Sequence, residues 1–88
     1  MAQRVVSIGS RSGLHARPAA TFAQAAARAP LAVTIAVEGK PPAPADSVLG
    51  VMTLGAAFGD RVTLTAEGER AEAVLEELAD LLGKELDA

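Results

Sequence analysis

The 88 residues contain a single histidine, His15, in the run SGLHARP, two places before Arg17 and three before Pro18. Proline is tolerated in the first turn of a helix, where backbone amides meet no intrahelical carbonyl, so Pro18 predicts a helix start near Ala16. His15 then falls in the cap region, beside open amide donors and the positive end of the helix dipole. Partial positive charge at such a place disfavours an imidazolium, and a neutral imidazole nitrogen can attack phosphorus. A phosphoryl group attached there would meet the first-turn amides and the Arg17 guanidinium, two kinds of donor that commonly hold phosphate. Each dipole contribution at an exposed site is only about 0.3–1 kcal/mol, a scale that suits cargo that has to be released.

Other reactive constellations are thin. The chain has no cysteine, which excludes disulfides, thiolate zinc sites and cysteine nucleophiles together. Glu72, Glu76 and Asp80 are spaced by four on one helix face, the usual pattern of a solvated surface, so no metal is expected. No GxSxG run is present to form a hydrolytic nucleophile elbow. The expectation is a chain with no resident cofactor, carrying only a transient covalent phosphoryl group on His15.

Three alternating runs predict half-buried strands: Arg4 to Ile8; Leu31 to Glu38, with Val33, Ile35 and Val37 on one face; and Arg61 to Ala66, with Val62 and Leu64 inward. Pro41, Pro42 and Pro44 follow a turn at Glu38–Lys40, so a strand there lacks ladder donors and has to be short and at an edge. Helical periodicity runs from Arg70 to Leu86, with Val74, Leu75, Leu78, Leu81 and Leu82 as the apolar stripe. A second helix is predicted over Ala16–Ala27, ending before Pro30, with Ala19, Phe22, Ala23 and Ala26 buried and Arg17, Thr21, Gln24 and Arg28 on the opposite face.

A short third helix is predicted between Asp46 and Leu54, capped by Asp46 or Ser47 and followed by Gly55. It is apolar nearly all round. Val51 and Leu54 can enter the core, whereas Val48, Leu49 and Met52 share another face that one sheet cannot also bury, so that face is expected to be open for a partner. The order of elements is βαββαβα: an α+β, open-faced sandwich of antiparallel sheet and helices on one side, as a single domain over residues 1–88.

Half of the residues are apolar but only Phe22 and Phe58 are aromatic, so the core is built from Val, Leu, Ile and Ala. The formal charge of −3 hides an asymmetry. Residues 1–44 hold five basic side chains against Glu38, and residues 45–88 hold three against ten acids. Arg4, Arg11, Arg17 and Arg28 are expected to form a local basic zone toward an anion or acidic partner. Outward strand positions offer Ala32, Thr34, Ala36, Thr63 and Thr65 rather than stacking aromatics, which argues against nucleic acid as a partner. Met1–Ser7 lacks an apolar signal core, and the alanine-rich stretch from Pro18 to Ala27 is too short for a bilayer. A cytoplasmic monomer without membrane insertion is expected.

The run GLHARPA resembles the active-site signature of the HPr family, the histidine-containing phosphocarriers of the phosphoenolpyruvate-dependent sugar phosphotransferase system. Residues 47–55, SVLGVMTLG, resemble that family's second signature at the matching distance, and the resemblance covers essentially the whole chain. It implies that His15 accepts the phosphoryl group on Nδ1, that Arg17 engages it, that enzyme I donates and that EIIA domains of sugar permeases accept. It implies no turnover catalyst but a carrier, with a four-stranded sheet in the order 1-4-2-3 under three helices. It further implies a docking surface formed by the first helix and the short second one. Ala16, Arg17, Gln24 and Arg28 would form its polar edge and Val48, Leu49 and Met52 its apolar centre. Ser47 matches a serine that some branches phosphorylate for regulation, although its PPAPAD approach and Asp46 depart from the usual polar or basic lead. A nitrogen-related or purely regulatory branch of the same family is the alternative that the residues leave open.

Overall fold

The computed structural model describes residues 1–84. Its elements follow the order β1 (Ala2–Ser7), α1 (Ala16–Ala27), β2 (Val33–Val37), β3 (Ala43–Pro44), α2 (Val48–Thr53), β4 (Arg61–Ala66) and α3 (Ala71–Leu82). The strands form one antiparallel sheet in the order β1-β4-β2-β3, and α3 packs across β1 and β4 while α1 touches both α2 and α3.

Register explains why the alternating runs bury one face. Central β4 sets Leu64 opposite Arg4 on β1 and Ile35 on β2, and sets Val62 between Val6 and Val37. Side chains directly across a ladder share a face, so these rows lie beneath the helices. Ile35, Leu64 and Val62 are buried there with Phe22 of α1, Val51 of α2 and Leu75 and Leu82 of α3. The proline-rich segment contributes only Ala43 and Pro44, paired with Ile35 and Thr34 at the edge. Pro44 has no amide to donate, and the pairing closes with one more bond, from the Ala45 amide to the Val33 carbonyl (2.9 Å).

Several boundaries and one grouping differ from expectation. β1 begins earlier, at Ala2, and ends at Ser7: the Ile8 amide still meets the Asp60 carbonyl (2.9 Å), but the Ile8 carbonyl accepts from Gly59 (2.9 Å) while the Asp60 amide turns to the Ala57 carbonyl (3.0 Å), so regular pairing stops. β2 is trimmed to Val33–Val37. α3 stops at Leu82, where Gly83 is the C-cap; the expected continuation to Leu86 ends outside the described residues. Arg4 stands in the half-buried inner row of edge strand β1, on the side of the sheet that α3 covers. Arg28 caps the far end of α1, about 18 Å from that helix's N-terminus at 1.5 Å per residue. The four arginines are therefore dispersed and form no single basic zone.

Phe22 is wholly buried and is the largest side chain in the core. Phe22→Ala is expected to destabilise the fold by about 3–5 kcal/mol, through lost transfer energy and the cavity left behind, as read by urea denaturation. A loss below about 1 kcal/mol would show that the helix layer can collapse onto the sheet.

Candidate functional site

Antiparallel pairing of β1 with β4 ends at Ser7 opposite Arg61, so the segment leaving β1 and the segment entering β4 emerge side by side. The first is fastened at three points. Gly9 donates to the Leu82 carbonyl at the end of α3 (2.9 Å), Gly13 closes a turn onto the Ser10 carbonyl (2.9 Å), and Leu14 donates to the Ala56 carbonyl (2.9 Å). Ser10, fully buried, also reaches the Lys84 carbonyl through its hydroxyl (3.4 Å).

Two glycines permit this fit. Gly13 has φ +75°, the left-handed region that favours glycine, and a Cβ there would lie 2.6 Å from the Ala56 carbonyl oxygen. Gly9 passes so close to Gly83 that a Cβ would overlap the Gly83 carbonyl. Both contacts are backbone against backbone, so neither neighbour can rotate away.

His15 comes directly after this loop and is the N-cap of α1, with extended backbone angles (φ −81°, ψ −170°). Its carbonyl accepts from Ala19 (2.8 Å), beginning the helix. Its imidazole makes no capping hydrogen bond and is exposed. The amides of Ala16 and Arg17 precede the first intrahelical bond, and Pro18, buried at the third helical position, has no amide to add. Arg17 is exposed, with no side-chain hydrogen bond among the described residues. The site therefore presents an exposed ring, two open amides and an exposed guanidinium.

Beside the ring lies a small depression of about 140 Å³, with Ser12, Leu14 and His15 on one side and Met52, Gly55, Ala56 and Ala57 on the other. A larger groove of about 530 Å³ sits between the C-terminal ends of α1 and α3, where Arg28 faces Glu77, Asp80 and Lys84. Lys84 is the only amine in it, and the groove lies at the opposite end of α1 from His15. Ala16 and Arg17 adjoin His15, Gln24 is exposed two turns along α1, and Arg28, one turn further at the C-cap, is exposed and also lines that groove.

The short helix resolves as its apolar pattern requires. Val51 and Leu54 are buried, while Val48 (37% exposed), Leu49 (72%) and Met52 (37%) face outward, and α2 lies against α1. Of the two cap candidates Ser47 serves: its Oγ accepts from the Gly50 amide (2.9 Å) and its carbonyl from Val51 (2.9 Å). Glu72, Glu76 and Asp80 are exposed on α3, and no cluster of three metal-ligating side chains occurs among the described residues. The Gly55–Ala57 wall is invisible to a search of the sequence for chemistry because it has no reactive side chains. Its signal is topological: once strand one pairs with strand four, the loop before strand four has to flank the histidine loop.

The family model for the PTS HPr component phosphorylation site matches residues 2–84. The chain belongs to the HPr family of phosphotransferase-system phosphocarriers. Phosphocarrier protein HPr of Streptomyces coelicolor is 45% identical over 87 residues, 99% of this chain and 94% of the relative. The crystal structure of HPr from Bacillus anthracis superposes with a TM-score of 0.85 at 40% identity, covering 92% of this chain and 95% of that one. A crystal structure of Crh from Bacillus subtilis, a catabolite-repression protein seen there as a swapped-domain dimer, matches with a TM-score of 0.71 at 40% identity and 93% coverage of both chains. The open-faced sandwich and the strand order are thus those of HPr. No helix among the described residues is long and apolar enough to cross a membrane.

The close passage of Gly9 over Gly83 predicts that Gly9→Ala destabilises the protein by about 1–3 kcal/mol in a denaturant titration, because the added methyl group forces the two backbones apart. The amide resonances of residues 9–15 are expected to move with it. An unchanged midpoint and unchanged resonances would contradict the tight approach.

Proposed function

We propose that this HPr-family chain accepts a phosphoryl group from phosphorylated enzyme I on Nδ1 of His15 and passes it to EIIA domains of sugar permeases. The observation that carries the reading is the exposed imidazole of His15 at the α1 N-cap, unused by any capping bond, in the run GLHARPA. With the ring proton on Nε2, the Nδ1 lone pair forms a bond to phosphorus as the bond to the donor breaks; transfer onward is the same exchange with the acceptor. The amides of Ala16 and Arg17 and the Arg17 guanidinium hold the phosphoryl oxygens. No metal or resident cofactor takes part.

The outward face of α2 is the docking surface in this reading, with Val48, Leu49 and Met52 as its apolar centre and Ala16, Arg17, Gln24 and Arg28 along α1 beside it. Met52 supports it by lining the same depression as His15, so a partner reaching the ring covers that side chain. The protein acts as a cytoplasmic monomer, a state in which His15 and this face stay uncovered, with neither nucleic acid nor membrane as partner. Ser47 is explained by its cap; a phosphoryl group there would place negative charge beside Val48 and weaken docking. The Crh relative supports a second, regulatory reading, in which the same fold serves targets other than sugar uptake.

Incubation with phosphoenolpyruvate and enzyme I is expected to give one acid-labile N–P species by phosphorus NMR. His15→Ala abolishes it with the fold intact, since the side chain is exposed; phosphorylation that survives this change would assign the wrong nucleophile. Arg17→Ala is expected to slow transfer about tenfold without eliminating it, the scale of one charge-assisted hydrogen bond, and wild-type kinetics would remove its role. Phosphorylation by a nitrogen-branch donor alone would replace the sugar assignment.

A further inference from the structure

We infer that Lys40 is a positioning residue for phosphoryl transfer at His15: its ammonium caps the C-terminus of α2 and so fixes the wall that faces the imidazole. The inference rests on the reading of His15 as the acceptor. Lys40 lies in the turn between β2 and β3, where its amide donates to the Val37 carbonyl (3.2 Å). From there its side chain crosses to α2, and Nζ donates to the Leu54 carbonyl (3.2 Å). Leu54 is the C-cap of α2, a helix of six residues with no basic residue in its own last turn. The last carbonyls of a helix lack intrahelical donors and carry its negative dipole end, so a cation delivered from another element both satisfies and attracts them.

The residues just beyond Leu54 make this bond more than a cap. Gly55 donates back to the Met52 carbonyl (3.2 Å), and a Cβ at Gly55 would lie only 3.7 Å from Lys40 Nζ. The next residue, Ala56, is buried, and its carbonyl receives the Leu14 amide (2.9 Å), immediately before His15. Met52, Gly55, Ala56 and Ala57 line the same depression as His15. Lys40, absent from the depression, thus reaches His15 through two hydrogen bonds and four intervening residues, Leu54, Gly55, Ala56 and Leu14. It acts by placing Met52 and the loop, not by touching the phosphoryl group.

The test uses the full chain with phosphorylated enzyme I as donor, comparing wild type, Lys40→Ala and Lys40→Arg. For Lys40→Ala the KM of the donor for this carrier is expected to rise about two- to fivefold, the equivalent of one lost helix-end cation, with kcat unchanged. In the unphosphorylated protein the amide resonances of Leu14, Gly55 and Ala56 are expected to shift. Lys40→Arg, which keeps a cationic donor, restores both. A raised KM without movement of those resonances would overturn the inference, because Lys40 would then contact the donor directly. Unchanged KM and resonances would overturn it as well. The resonance arm needs no phosphoryl transfer, so failure of the His15 assignment would be seen separately, as absence of the N–P species in wild type.

Discussion

The ladder between β1 and β4 is the constraint on which the site depends. Six consecutive residue pairs, from Ala2 with Ala66 to Ser7 with Arg61, bring the N-terminal strand to the strand that precedes the last helix. Segments more than forty residues apart in sequence then leave the sheet at one end. His15 gains a rigid seat because the loop before it is hydrogen-bonded to both neighbours, the end of α3 through Gly9 and the Ala56 loop through Leu14. Those bonds are made by backbone, so the imidazole itself is left free. Closing such long loops is entropically costly, and the buried rows of Val62, Leu64 and Ile35 offset that cost.

Small side chains make the arrangement compact. Alanines at positions 19, 23 and 26 line the buried face of α1, and glycines at 9 and 13 let two loops pass backbone to backbone. Density of this kind leaves little room for a deep pocket at His15, and the depression there is far smaller than a typical ligand site of about 300 Å³ or more. In the proposed reading, a shallow, open histidine is suited to exchange between protein surfaces, each of which would supply the walls that the carrier lacks. The weak electrostatic grip of an exposed helix N-terminus would serve the same purpose in that reading, since cargo held too tightly could not be passed on.

The division of labour within α2 comes from its geometry. Six residues give fewer than two turns, too short to be stable alone, so the helix depends on Ser47 at one end, Lys40 at the other and Val51 and Leu54 in the core. With those four anchors in place its remaining apolar side chains need not be buried, and Leu49 in particular projects into solvent.

Local chemistry is readable from the order of residues: Pro18 places the start of α1, alternation marks β2 and β4, and the two apolar faces of residues 48–54 separate core from surface. These features depend on neighbours within one or two turns, where steric and hydrogen-bonding rules act on the chain directly. The family resemblance supplies the strand order, which periodicity does not encode. Register and approach belong to the folded chain. Composition groups Arg4 with Arg17, but pairing with Leu64 places Arg4 in the inner row, on the side of the sheet that α3 covers. The Gly55–Ala57 wall, the overlap of Gly9 with Gly83 and the reach of Lys40 to Leu54 join residues far apart in sequence, and such distances are set only when the sheet closes and brings their backbones together.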